Sequence, residues 1–437
     1  MKKIKYKQMK KYLIFSIAFF VQHVVSGQNY VPIDTADFQQ RKTFLAEFKT
    51  KNDVLIKTLK AEYSGKTGAE LGKYYNEFYK SFEKEVKDKN FTFKSPFNEI
   101  LNGMLSDLRK NYPQISANLN VLIAKDNTPN AYCLADGTFI INMGLFNWMD
   151  NDDQIASILS HEIAHKLKKH AEKAMVENIN EEKSDVEKVK EIKNQSVNKT
   201  DKALDIIKNR LYKKRGKKRE SEIEADSLGY VIYRNSDFKK AEFLNAMKNI
   251  RDFDSISPRE LKIETYKKLY DLPAQPFKEK WMKEEDFSLY NYDFYKEKLD
   301  EDSLSTHPET LVRIAALEKE FPELKTEDSP KEGSEAFKNL QKIAKMEILP
   351  NLFQSEDYGV GIYVAMQMIQ DEFEEDYVKK WLGKFYGKIY DGRKNYNLNR
   401  YLDRIDPKNQ SESYRQFLSF MWNLSADEIK NIAGFYE

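Results

Sequence analysis

The chain has 437 residues, 41% apolar and 13% aromatic, enough to bury a core and too aromatic for wholesale disorder. At about 100–200 residues per domain, this length holds roughly two to four units. Lys and Arg total 72 against 70 Asp and Glu, but six lysines precede Gly27, where there is no acid; the remaining 66 against 70 give −4, which removes the electrostatic case for nucleic acid.

The N-terminus reads as an export signal over residues 1–27. Lys2, Lys3, Lys5, Lys7, Lys10 and Lys11 precede an apolar run from Tyr12 to Val21. Val25-Ser26-Gly27 then ends in small residues, with cleavage expected before Gln28. The run is shorter than the about 20 apolar residues that span a bilayer, and an uncleaved signal anchor is the second reading. No later segment is apolar enough to span, so no transmembrane span is expected once the signal is removed. The single cysteine, Cys133, allows no intrachain disulfide, so an exported chain must rely on its core or a metal. The expected address is the periplasm of a Gram-negative bacterium, with extracellular release as the alternative.

Residues 28–95 are expected to be helical, because Phe44, Leu45, Phe48, Leu55, Leu59 and Tyr63 recur at helical spacing among charged residues. Ser95-Pro96 offers a helix start, and Ile100, Leu101, Met104, Leu105 and Leu108 continue the period. Asn120–Ala124 is a strand candidate. Ala131–Leu134 and Thr138–Asn142 are two more, joined by Asp136-Gly137, a hairpin turn signal. Asp152 or Asp153 is the expected cap of the next helix, from Ile155 to about His170.

That helix carries His161-Glu162-Ile163-Ala164-His165. At 100° per residue the two histidines project from one face, one turn apart, a spacing that lets both reach one tetrahedral zinc. Glu162, on the flank of that face, is suited to accept a proton from metal-activated water. With only five histidines in the chain, a chance match is expected roughly 0.005 times. His170 is about 180° from His161 on a continuous helix and is expected to face away from the metal.

Ala171–Arg219 is rich in Lys and Glu, read as solvated helix and loop, and the basic run Arg210–Arg219 as a solvated turn. A third protein ligand is needed beside the histidines. Glu220, Glu222, Glu224 and Asp226 are the candidates in the segment that follows. Glu222 and Asp226 share a helix face, which suits one ligand and one acceptor for an imidazole N–H, while Glu220 and Glu224 stay open on spacing alone. His307 is held in extended backbone by Pro308, as befits a loop. Residues 321–437 read as helical and aromatic-rich, with apolar periodicity at Tyr363, Met366, Met368 and Ile369, then at Tyr377, Trp381, Phe385 and Ile389.

The ordered set of His161–His165, Arg219-x-x-Glu222-x-Glu224-Ala225-Asp226 with Gly229, and Ser305-Thr306-His307-Pro308 with Arg313 resembles metallopeptidase family 48. Asn130-Ala131-Tyr132, Asp136-Gly137 and Gly144-Leu145 fall in that family's order before the motif helix. The family includes the CAAX prenyl proteases, HtpX and Oma-type membrane peptidases and soluble periplasmic peptidases, and the resemblance covers about residues 96–320. It implies a gluzincin-type domain, α+β and mostly helical, with helices on a small sheet between helical regions at 28–95 and 321–437. It also implies one zinc per chain on His161, His165 and Glu222, with Asp226 bonding an imidazole and Glu162 as general base. Asn130, Ala131 and Tyr132 become the strand edge that binds an extended peptide. His307 comes close to the metal, either filling its open position or, with Arg313, serving the developing oxyanion; Arg313 has loop positioning as its other role.

The function expected from these parts is a zinc endopeptidase of the cell envelope acting on protein or peptide substrates, in protein quality control. Envelope proteins are the expected partners of residues 321–437. The alternative is a chaperone-like binding protein with little proteolysis.

Overall fold

The structure, a computed structural model, describes residues 30–35, 37–116, 119–180, 218–255, 259–283, 310–325, 331–406 and 410–437. The expected signal segment, the basic residues 210–217 and His307 lie outside the described residues. The architecture is α+β and mostly helical, with one four-stranded mixed sheet. The chain divides into two compact units. One is drawn from Ile33–Pro258 and Glu285–Ser355, the other from Met1–Pro32, Arg259–Glu284 and Glu356–Glu437.

The first unit holds the sheet, in the order β1 (Phe91–Thr92), β2 (Asn120–Ala124), β4 (Thr138–Asn142), β3 (Ala131–Cys133). β2 and β4 run parallel, with Val121 beside Phe139 and Ile123 beside Ile141. β1 and β3 close the two sides antiparallel. Alternation along the strands sends Val121, Ile123, Phe139 and Ile141 into one core, with Phe97, Leu101, Ile155, Leu159 and Ile163. It sends Leu122, Ala124 and Ile140 into another, with Phe44, Phe48, Phe82 and Val86. The helices Phe38–Glu62 and Lys66–Lys87 carry these last four side chains, so the N-terminal helical pair covers the sheet's second face. Neither face meets water, which is why β2 and β4 are apolar at seven of their ten positions, with polar residues only at the strand ends.

The β3–β4 hairpin turns where Asp136-Gly137 implies. Gly137 takes φ 93°, and the Asp136 carboxylate accepts from the Thr138 backbone N–H at 3.0 Å. The motif helix runs Asp152–Leu167 and differs from expectation at both ends. Its cap is Asn151, whose side-chain oxygen accepts from the Gln154 N–H at 3.0 Å. Asp153 is instead buried, accepting from the Lys239 backbone N–H at 2.8 Å and from Lys331 Nζ at 2.6 Å. The helix stops three residues before His170, because Lys169 adopts φ 55°, and a second helical stretch then covers 170–180.

In the second unit the helices are Ile263–Tyr270, Tyr358–Gln370, Glu375–Lys394, Glu412–Asn423 and Ala426–Tyr436. The periodic positions Tyr363, Met366, Met368, Ile369, Tyr377, Trp381, Phe385 and Ile389 are all buried. Tyr266, Tyr270, Trp281, Tyr386 and Phe420 also sit in the interior. The Tyr386 hydroxyl donates to that of Tyr270 at 2.7 Å, which satisfies a polar group that burial would otherwise penalise.

Candidate metal centre

His161 and His165, one turn apart on the motif helix, turn their Nε2 atoms toward each other at 3.0 Å. The helical stretch 218–233 lies against that helix at Gly229, where an added Cβ would meet the His161 Cα at 2.9 Å. This close approach brings Glu222 and Asp226 to the imidazoles. Glu222 Oε2 lies 3.5 Å from His161 Nε2, and Oε1 lies 3.7 Å from His165 Nε2. One ligand-capable atom from each of His161, His165 and Glu222 falls within 4.8 Å of the other two. Glu220 and Glu224 do not join that group: Glu220 is exposed, and Glu224 pairs with Lys168 Nζ at 2.6 Å.

The far nitrogens of the two rings are engaged as well. His161 Nδ1 lies 2.8 Å from Asp226 Oδ1, where its N–H donates to the carboxylate. Asp226, 1% exposed, is clamped from behind by Arg313, with Nε to Oδ2 and Nη2 to Oδ1 both at 2.6 Å. Arg313 Nη1 also reaches Glu222 Oε2 at 3.2 Å. This guanidinium is committed to two acids of the cluster. His165 Nδ1 lies 2.9 Å from His170 Nδ1, and His170 Nε2 lies 3.0 Å from Glu224 Oε2. His170 therefore faces the cluster instead of pointing away. The half-turn argument assumed one continuous helix, and the reversal at Lys169 breaks it.

The electrostatics follow from this crowding. Burial opposes a charged His161, yet the bond and charge of Asp226 outweigh it and hold the ring's pKa up at about 10. His165 is pushed down to about 3 by burial and by the neighbouring His161. Burial works against ionised Glu222 and Asp226 too. The His161 bond and Arg313 hold Glu222 below the usual carboxylate range, and bonds from Arg313 and His161 do the same for Asp226. Glu162 is raised to about 7, chiefly by burial. Burial also raises the Cys133 thiol, which marks it as a packed and unreactive group.

β3 forms the edge of the sheet beside Glu162. Asn130 O accepts from the Asn142 N–H at 2.9 Å, and the Leu134 N–H donates to Thr138 O at 2.8 Å. By antiparallel alternation the backbone groups of Ala131 and Cys133 point away from β4. The Cys133 N–H on that outer side bonds to Glu162, and the Tyr132 side chain is 40% exposed. Asn130 turns its side-chain oxygen back to accept from the Ala131 N–H at 2.9 Å. The residues expected to bind peptide thus stand on the sheet's edge strand next to the motif helix, with both outward N–H groups engaged within the chain.

Among the described residues, no helix is long and apolar enough to cross a membrane. The chain is 27% identical over 79 residues to the beta-barrel assembly-enhancing protease of Yersinia pestis, covering 18% of this chain and 16% of that protein. It is 29% identical over 59 residues to mitochondrial metalloendopeptidase OMA1 of Arabidopsis thaliana, covering 14% and 12%. Over 46 residues it is 37% identical to the beta-barrel assembly-enhancing protease of Escherichia coli K12, covering 10% and 9%. Each similarity thus spans less than a fifth of the relative's length. The model of peptidase family M48 matches residues 99–321, slightly over half of the chain, from within the helix Pro96–Asn111 to beyond Arg313, and the chain belongs to that family.

Proposed function

We propose that this protein is a gluzincin-type zinc endopeptidase of the cell envelope that hydrolyses protein substrates, with a role in protein quality control. The observation that carries the reading is the convergence of His161, His165 and Glu222 beside Glu162. The donor set suits zinc: two imidazole nitrogens and a carboxylate from two helices, the three protein ligands that a catalytic zinc takes. With the Asp226 and His170 bonds engaging both Nδ1 atoms, the two Nε2 atoms, 3.0 Å apart and both near Glu222, are the ring nitrogens left to hold a cation. Zinc held there supplies Lewis acidity, the property that makes water nucleophilic at neutral pH and polarises a carbonyl.

The remaining work falls to this chain's own groups. Glu162 takes the proton of the attacking water at its carboxylate and passes it to the leaving amine. The outward carbonyls of Ala131 and Cys133 on β3 accept from an extended peptide laid along that edge. Asp226 keeps the His161 proton on Nδ1, and Arg313 keeps both Asp226 and Glu222 ionised and in place. Exported location is supported by the basic and apolar pattern of residues 1–27. A quality-control role rests on analogy with two relatives named as beta-barrel assembly-enhancing proteases. Residues 321–437 are the proposed surface for envelope partners.

The direct test is Glu162→Gln. The purified variant should retain about one zinc per chain and cleave unfolded casein about 10²–10⁴-fold more slowly, the usual contribution of a general base. Wild-type cleavage by that variant, or cleavage that survives removal of the metal by a chelator, defeats the reading. His307 is read from sequence alone. As an occupant of the metal's open position it restrains the enzyme, so His307→Ala should raise the cleavage rate; as an oxyanion donor, its loss should lower kcat about 10²–10³-fold. An unchanged rate rejects both roles.

A further inference from the structure

We propose that His170 and Glu224 form a hydrogen-bonded relay that fixes the proton of His165 on Nδ1 and so aims its Nε2 lone pair into the metal position. The inference rests on the zinc reading and adds to it two positioning residues that touch neither metal nor substrate.

The assignment follows from donor and acceptor counting. Ionised Glu224 has only acceptors. Its Oε2 lies 3.0 Å from His170 Nε2, so that nitrogen carries the hydrogen. The relay takes His170 as the neutral ring, whose other nitrogen is then a bare acceptor, and His170 Nδ1 is 2.9 Å from His165 Nδ1. In that state the hydrogen between them belongs to His165, which leaves His165 Nε2 free, on the side where Glu222 and His161 converge; a doubly protonated His170 would reverse the bond and put the His165 proton on Nε2. A ring without such a partner divides its proton between two nitrogens, and every copy protonated on Nε2 points a hydrogen at the metal.

The geometry around the relay is restrictive. His170 is 8% exposed, and its ring meets that of His165 edge to face at 4.8 Å. The Lys169 reversal is what turns His170 back toward its own helix. The second oxygen of Glu224 is held by Lys168 Nζ at 2.6 Å, from the turn that ends that helix. Glu222, Glu224 and Asp226 thus divide the work along one helical stretch. Glu222 faces the metal position, Asp226 holds His161 directly, and Glu224 holds His165 through a second imidazole.

The test compares the full-length wild type with Glu224→Ala, Glu224→Gln and His170→Leu. Zinc affinity is measured by chelator competition, and the histidine tautomers of the metal-free protein are read by nitrogen-15 NMR with labelled histidine. His170→Leu should weaken zinc binding about 10–100-fold, Glu224→Ala should weaken it by a smaller factor, and Glu224→Gln, which keeps an acceptor for His170, should stay within about twofold of wild type. Wild-type His165 should show the Nδ1–H form, and Glu224→Ala should spread the proton over both nitrogens. If His170→Leu fails to fold, the Ala and Gln variants at the exposed position 224 still decide the matter. An unchanged His165 tautomer in Glu224→Ala, or equal loss in the Ala and Gln variants, overturns the relay alone. A wild type that binds no zinc overturns the zinc reading and the relay together.

Discussion

Two carboxylates one turn apart, Glu222 and Asp226, meet the same histidine through different atoms, and their loss should be distinguishable. Glu222→Ala removes a proposed ligand and should yield protein with little zinc by metal analysis. Glu220→Ala, altering an exposed side chain, should keep stoichiometric zinc. Asp226→Ala should weaken zinc about 10–100-fold, because His161 loses the acceptor that orients it. It should also destabilise the fold by about 3–5 kcal/mol, since Arg313 then keeps a buried charge without its bidentate partner. A stable Asp226→Ala protein with wild-type affinity refutes that role. The histidine pair was legible because an i, i+4 spacing is local. Choosing Glu222 over Glu220 and Glu224 needed either a family pattern or the crossing of two helices. The His170–Glu224 pair was hidden by one backbone angle at Lys169, which no helical wheel anticipates.

At the scale of elements, the site depends on how closely the stretch 218–233 packs on the motif helix. Gly229 sets that distance, since a methyl group there would press on backbone atoms of His161 and Ser160. Gly229→Ala should therefore separate the helices by a few tenths of an ångström, cost about 1–3 kcal/mol, and weaken zinc while leaving every proposed ligand in place. Chemical denaturation and chelator competition measure the two effects. A neutral outcome in both means the helices do not rely on this contact. The sheet was legible in part. β2, β3 and β4 follow from short apolar runs and the Asp-Gly turn, whereas β1, two residues long, falls below any periodic signal. An unbroken apolar strand also implies two covered faces, but the identity of the N-terminal helical pair as the second cover is a long-range fact that strand composition does not carry.

At the scale of the molecule, residues 259–283 leave the sheet unit and build into the other one. Their partners lie more than a hundred residues downstream, as with Tyr270 and Tyr386, so local pattern could not assign them. Glu428 joins this segment to the last helix. Its carboxylate takes Lys278 Nζ at 2.7 Å and the Ser425 N–H at 2.8 Å, while its own N–H donates to the Ser425 hydroxyl. Burial alone would raise the pKa of Glu428, but Lys278 and the Ser425 backbone outweigh it and bring it down to about 2, against an ordinary value of 4.5. A depressed carboxylate contributes stability that is complete above the unfolded value and is lost as pH falls toward the folded one. Glu428→Gln should thus lower the melting temperature of this unit at pH 7 by about 2–4 °C, from about 1 kcal/mol of capping and pairing. The gap between variant and wild type should close between pH 4.5 and about 2, as the wild-type carboxyl becomes neutral like the amide. Thermal unfolding across that range decides it, and a gap that persists undiminished at the acid end shows that Glu428 acts there by packing and not by charge.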